Sequence, residues 1–153
     1  MIIWLTGQPG SGKTTLANML MKFLKDNENE KIINLDGDDL RSINKNKDYS
    51  KKGRIKNIST AISIIRFLAS KKFICVVSVV APYRFLRDEL KSEFPFLEVY
   101  LHTDEIRGRE NFFADDYEKP VDKNHLKIDT GKLNEEESLD EILNVYRKMA
   151  TLA

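Results

Sequence analysis

The sequence predicts an α/β fold, a five-stranded parallel sheet with helices on both faces. Three observations carry the prediction. Short apolar runs recur at 2–6, 31–35, 73–80, 96–101 and 126–129, continuous rather than alternating, as strands buried on both faces are. Segments with apolar residues at helical spacing separate them, and this alternation calls for right-handed crossovers between parallel strands. A glycine-rich turn, Gly7-Gln8-Pro9-Gly10-Ser11-Gly12, follows the first run and opens the first helical segment.

Each element has a local cause. Ile2–Thr6 is a short apolar run that stops at a glycine. Residues 14–25 carry Leu16, Met19, Leu20, Phe23 and Leu24 on one helical face, and Asp26-Asn27-Glu28-Asn29 closes that helix. The second strand, 31–35, runs into Asp36-Gly37-Asp38-Asp39. Residues 41–56 read as a polar stretch with seven basic side chains and one acid, Asp48. Helical periodicity resumes at Ile55 and continues to Leu68 through Ile58, Ile62 and Ile65. Residues 73–80 are the clearest buried strand, apolar and rich in β-branched side chains. A helix is expected over 84–94, stopped by Pro95, then a strand over 96–101. Residues 104–124 look irregular. A terminal helix over 135–149 presents Leu139, Ile142, Leu143 and Tyr146 on one face, with Glu135-Glu136-Glu137 suited to its first turn.

At 153 residues, without a repeat, a linker or a break in composition, the chain is expected to be one domain spanning 1–153. Lys and Arg number 25 against 24 Asp and Glu, so attraction by bulk charge to nucleic acid or an anionic membrane is excluded as a mode of action. No apolar run approaches the roughly 18 residues of a membrane span, and the first residues lack the basic region of a signal peptide. A cytoplasmic protein is expected. The single cysteine, Cys75, excludes a disulfide framework and a zinc ribbon, and its apolar strand marks it as a buried thiol. His102 and His125 have no partners at metal-ligand spacing.

Gly7-Gln8-Pro9-Gly10-Ser11-Gly12-Lys13-Thr14 fits G-x-x-x-x-G-K-[ST] in full. Glycines let successive backbone N–H groups turn inward and reach phosphate oxygens without Cβ collisions. The helix behind adds its N-terminal dipole, Lys13 can reach the β- and γ-phosphates, and the Thr14 hydroxyl suits Mg²⁺. The flanking strand and helix supply the context the motif needs. The expected fold is therefore that of the P-loop NTPases, and ATP or GTP the expected ligand. Asn46-Lys47-Asp48 approximates the base-reading motif of guanine-nucleotide switches, but no strand precedes it. A nucleotide or metabolite kinase fits the short chain better.

Beyond the second strand, Asp36-Gly37-Asp38-Asp39-Leu40-Arg41 places carboxylates at the carboxyl edge of the sheet, where α/β proteins bind ligands. A carboxylate there can take a proton from an acceptor hydroxyl or order Mg²⁺ waters, and Arg41 can pair with an anion. The plainer alternative is an aspartate-rich turn that caps the next helix.

At these residues the chain resembles the adenylylsulfate kinases, which use ATP to phosphorylate the 3′-hydroxyl of adenosine 5′-phosphosulfate. The resemblance runs from Ile2 to about Glu141. It lies in the phosphate loop, in Leu35-Asp36-Gly37-Asp38-Asp39-Leu40-Arg41, and in Arg54 with Asn57. It continues in Val79-Val80-Ala81-Pro82-Tyr83-Arg84, Asn111-Phe112, Tyr117-Glu118-Lys119-Pro120 and Ile128-Asp129-Thr130. The resemblance implies that Gly7, Gly10, Ser11, Gly12, Lys13, Thr14 and Thr15 serve the ATP phosphates, with Thr14 on Mg²⁺. Asp36 and Asp38 fall at the family's catalytic and metal-ordering acids. Arg41, Arg54 and Asn57 fall where the family holds the acceptor's 5′ anionic group and ribose. Tyr49 and Phe112 fall at the aromatics that sandwich the acceptor base, against the alternative of ordinary packing. The implied partner is a small nucleotide acceptor, and the resemblance leaves room for a homodimer.

Three departures from the family pattern bear on the acceptor. Only 103–110 joins the fourth strand to Asn111, so roughly 15 or more residues of the family's lid are missing. Arg107 or Arg109 can replace the lid's guanidinium over ATP, or be solvated loop charges. Ser59 stands where the family has an arginine, Ala81 replaces a serine, and Asp39 replaces an asparagine. The expected activity is transfer of the γ-phosphoryl of ATP to a ribose 3′-hydroxyl, with adenosine 5′-phosphosulfate as default acceptor. Cytidine 5′-diphosphoramidate is the second candidate, because relatives of these kinases occur in capsule phosphoramidate pathways. The rival of another class is a non-catalytic nucleotide-binding module, which has little use for the acceptor-side acids.

Overall fold

The structure, a computed structural model, describes residues 1–27 and 31–152. Strands β1 (Ile2–Thr6), β2 (Ile32–Asp36), β3 (Ile74–Ser78), β4 (Phe96–His102) and β5 (His125–Asp129) form one parallel sheet in the order β2-β3-β1-β4-β5. The connecting helices are α1 (Lys13–Asn27), α2 (Gly37–Asn44), α3 (Lys51–Ser70), α4 (Arg84–Asp88) and α5 (Glu135–Thr151). Both faces of the sheet are covered. On β1, Ile2 and Trp4 join the core beneath α3 and α4, while Ile3 and Leu5 join the core beneath α1 and α5. All four are completely buried, which is why the run is apolar at every position. Cys75 is buried in β3, and burial pushes its thiol up to about 11, as an inert core cysteine requires.

The helical stretches differ from expectation in three places. Residues 37–44, read as an aspartate-rich turn running into a polar stretch, form α2. Asp36 caps it by accepting from Asp38 N at 3.0 Å, and Lys45 ends it in the left-handed region at φ 52°. Its single buried side chain, Leu40, leaves too little apolar periodicity for detection. Helix α3 begins four residues earlier than Ile55, capped by Ser50, whose hydroxyl accepts from Gly53 N at 3.2 Å. The helix expected over 84–94 is regular only through Asp88. Beyond it Glu89, Lys91 and Glu93 donate to carbonyls three residues back, so the chain turns more tightly before Pro95. Glu28 and Asn29, part of the stop expected for the first helix, lie outside the described residues.

Parallel pairing brings Thr6, Asp36 and Ser78 to one edge of the sheet, with Asp36 directly opposite Ser78. The turn after β3 is held from below. Arg87, fully buried, pairs with Glu98 of β4 at 3.0 Å and donates to Ala81 O at 2.7 Å. Ala81 sits at φ +42°, a conformation that a side chain adopts only when its surroundings enforce it. Among the described residues no helix is long and apolar enough to cross a membrane.

Candidate active site

The loop after β1 wraps around the Lys13 ammonium. Its Nζ donates to Gly7 O at 3.0 Å and Gln8 O at 2.9 Å. Gly7 has φ +153°, and a Cβ there would collide with the Leu101 carbonyl of β4, so the first motif glycine is dictated by the neighbouring strand. Gly10 and Gly12 also lie at positive φ, 81° and 104°. Fourteen of the sixteen residues expected at the site line one cavity of about 350 Å³, from Gly10 through the acids to Phe112. Gly7 and Ser11 do not line it. They build the loop from beneath, with Ser11 buried and its carbonyl accepting from Thr130 Oγ1 at 2.7 Å.

The two acids divide into different environments. Asp36 is buried, and both its oxygens are engaged: Oδ1 accepts from Asp38 N, while Oδ2 accepts from Thr14 Oγ1 and Ser78 Oγ, each at 2.9 Å. Asn34 Nδ2 in turn donates to Ser78 Oγ at 3.3 Å. Helix-capping and the functional reading of Asp36 therefore describe the same carboxylate. Asp38 is exposed on the first turn of α2 and faces the cavity.

On the far wall, Tyr49 and Phe112 do meet, but as a closed pair. Their centroids are 5.1 Å apart with planes tilted by 53°. A base between two rings needs two stacking separations, roughly 7 Å, so the expected sandwich is not preformed. Arg41 covers Tyr49 at 3.9 Å and Arg109 covers Phe112 at 5.4 Å, so each ring also meets a guanidinium. Arg54 holds the two ring-bearing backbones together. Its Nε donates to Tyr49 O and its Nη2 to Phe112 O, both at 2.8 Å. It is a buried brace, not a free surface cation. Beside it Asn57 is 3% exposed, and its Oδ1 has no hydrogen-bond partner.

The short 103–110 segment reaches back over the phosphate loop. Arg107 Nη1 donates to Gly10 O at 3.1 Å and Nη2 to Thr130 O at 2.9 Å, with Glu105 paired to the guanidinium at 2.9 Å. Arg107 also borders a second cavity of about 620 Å³ lined by Thr15, Leu16, Thr130, Leu133, Asn134 and Ser138 among others. Of its lining residues Gly12, Thr15 and Arg107 were expected at the site. Ile128-Asp129-Thr130 carried the signal for this wall, since Thr130 stands where β5 ends against the phosphate loop. Among the described residues no cluster of three or more His, Cys, Asp or Glu could hold a metal by itself.

Burial pushes the Lys13 ammonium down to about 7, against the opposing pull of Asp36 and Asp38 and with an added push from Arg109. A polyphosphate beside Nζ restores the charged form. Binding of adenylyl imidodiphosphate at pH 8 should therefore take up most of one proton, and at pH 6 close to none, so affinity weakens as pH rises above 7. Calorimetry in buffers of different ionisation enthalpy measures the uptake, and Lys13→Ala should abolish it.

Three comparisons bear on this geometry. The family profile described as adenylylsulphate kinase matches residues 1–124. The chain is 32% identical over 162 residues to probable bifunctional SAT/APS kinase 2 of Sorangium cellulosum, covering 93% of this chain but 28% of that protein. It is 30% identical to the adenylyl-sulfate kinase of Lactiplantibacillus plantarum, covering 94% of this chain and 79% of that one. The fold matches that of the Mycobacterium tuberculosis APS kinase solved with AMPPNP and APS, at a TM-score of 0.80 and 20% identity over 95% of this chain and 96% of the other. The profile match begins at the first strand and takes in the phosphate loop, both acids and the aromatic pair, so this chain belongs to the adenylylsulphate kinase family of phosphotransferases.

Proposed function

We propose that the protein transfers the γ-phosphoryl group of ATP, with Mg²⁺, to the ribose 3′-hydroxyl of a small nucleotide bearing a 5′ anionic substituent. The observation that carries this reading is the pairing of one engaged and one exposed carboxylate, Asp36 and Asp38, opposite a complete phosphate loop. Phosphoryl transfer depends on positioning and charge neutralisation more than on covalent help from the protein. Lys13 would exchange the Gly7 and Gln8 carbonyls for phosphate oxygens. Thr14 and Asp36 present one neutral and one anionic oxygen side by side, a donor set that fits Mg²⁺ once substrate phosphates complete it. The ion would neutralise charge on the transferring group. Asp38, whose carboxylate is free to face the cavity, would accept the hydroxyl proton. Arg109 and Arg107 stand on the phosphate side and would take up charge that grows there. The nucleotide half of ATP would lie in the second cavity, along Leu16, Leu133 and Ser138.

Adenosine 5′-phosphosulfate is the first acceptor to test, by family membership. Cytidine 5′-diphosphoramidate is the second, since it presents a similar ribose and a similar 5′ anion to the same wall of the cavity. A coupled ADP-release assay with both nucleotides, and with gluconate and shikimate as non-nucleotide controls, tests the proposal. Acceptor-dependent ADP release is expected with one of the nucleotides, and release with the controls alone would overturn it.

Arg54→Ala should raise the acceptor KM on the order of tenfold or more and leave the ATP KM nearly unchanged, since the lost charge-assisted bonds hold the aromatic pair. Equal weakening of both substrates would mean that the site is not divided in this way.

A further inference from the structure

We propose that Gln8 is a positioning residue that ties the Phe112-bearing segment to the phosphate loop. The inference rests on the reading above, in which Phe112 belongs to the acceptor side. The motif leaves position 8 open, and phosphate binding asks nothing of its side chain. Here that side chain grips a single distant residue with both ends of its amide. Oε1 accepts from Ala114 N at 2.9 Å, and Nε2 donates to Ala114 O at 2.7 Å. The double bond pattern also fixes which way the amide points, because a flipped amide would oppose donor to donor and acceptor to acceptor. Ala114 is 4% exposed, so its N–H and C=O have little recourse to water.

The position of this grip gives it consequence. Two residues before Ala114, the Phe112 carbonyl is held by Arg54, and three residues after, the Tyr117 hydroxyl meets Thr6 Oγ1 at 2.7 Å. Of these three anchors, the one at Gln8 comes from the phosphate loop. The main-chain oxygen of the same residue accepts from Lys13 Nζ at 2.9 Å. One residue thus touches the lysine that serves the donor and the strip of chain that carries an acceptor-side aromatic. Gln8 acts through Ala114 and touches no reacting atom in this account.

Two variants test the tie. In Gln8→Ala the Ala114 amide loses its acceptor, so its hydrogen-exchange protection should fall about tenfold or more, while affinity for adenylyl imidodiphosphate stays within about threefold of wild type. Gln8→Glu separates positioning from general damage. A neutral carboxyl group reproduces both amide bonds, whereas a carboxylate turns an acceptor toward the Ala114 carbonyl. Facing the Ala114 carbonyl disfavours the introduced carboxylate and raises its pKa above the ordinary value of about 4.3, so relative to wild type at each pH, protection at Ala114 and the KM for the nucleotide acceptor should recover in Gln8→Glu as the pH falls from 8 toward about 5, with no recovery in Gln8→Ala. Unchanged protection in Gln8→Ala, a parallel loss of nucleotide affinity, or a Gln8→Glu profile that follows wild type would overturn the inference. Exchange is read without any acceptor present. Failure of the wild-type enzyme to phosphorylate a nucleotide would therefore count against the acceptor reading and leave the exchange result to decide the role of Gln8.

Discussion

Lys13→Ala should lower turnover on the order of 10³-fold or more while the chain keeps its fold, because the ammonium meets charge that grows on the transferring phosphoryl group. Without nucleotide, Lys13 is bonded to the Gly7 and Gln8 carbonyls, two neutral partners for a charge buried to 8% exposure. Its pKa falls from the ordinary 10.5 to about 7, so the unfolded chain binds more protons than the native one between those values. Stability contributed by this group therefore rises with pH across that window and is lowest below about pH 7. Removing the side chain removes that slope. Thermal unfolding at pH 7 and pH 9 should show a smaller pH difference for Lys13→Ala than for wild type, with a native-like melting transition at both. Near-normal kcat in this variant would refute the phosphate-loop assignment.

The second large effect is expected at Asp38. Asp38→Asn should retain nucleotide affinity and lose most phosphoryl transfer, in the range of about 10²–10⁴-fold, since an amide cannot accept the hydroxyl proton. The Asp36→Asn variant should behave differently. Asp36 accepts from Thr14, Ser78 and the α2 backbone, so the amide would present donors to groups that are themselves donating. Loss of Mg²⁺–nucleotide affinity and of stability should accompany its loss of rate. Steady-state kinetics with direct nucleotide titration separates the two variants. A comparable fall in affinity and rate for Asp38→Asn would mark Asp38 as structural.

Much of this site was legible because its chemistry is tied to local spacing. The phosphate loop, the acids at the end of β2 and the arginine-bearing start of α3 each lie within a few residues, so the sequence could name them, and the cavity gathers them. The sheet was legible for a related reason: burial on both faces demands continuous apolar runs, and β1 is buried at every position. Relations that depend on tertiary contact were not legible. The environments of Asp36 and Asp38 separate only when Ser78 is found opposite Asp36 across the sheet. Tyr49 and Phe112 lie side by side, but Arg54 draws their backbones together and closes the slot expected between them. Helix α2 escaped notice because one buried leucine sets its position and the rest of it is polar. Gln8 gave no signal at all, since its partner lies 106 residues away.

In the proposed reaction one cavity holds a phosphoryl donor on the phosphate loop and a nucleotide hydroxyl at Asp38. The most direct measurement is to supply ATP whose γ-phosphoryl group carries heavy oxygen with each candidate nucleotide and locate the label in the product by phosphorus NMR and mass fragmentation. Label on the ribose 3′-oxygen of the nucleotide, absent from reactions of Asp38→Asn, is the expected result. Label confined to inorganic phosphate, or carried by the 5′ substituent or a non-nucleotide alcohol, would contradict the account.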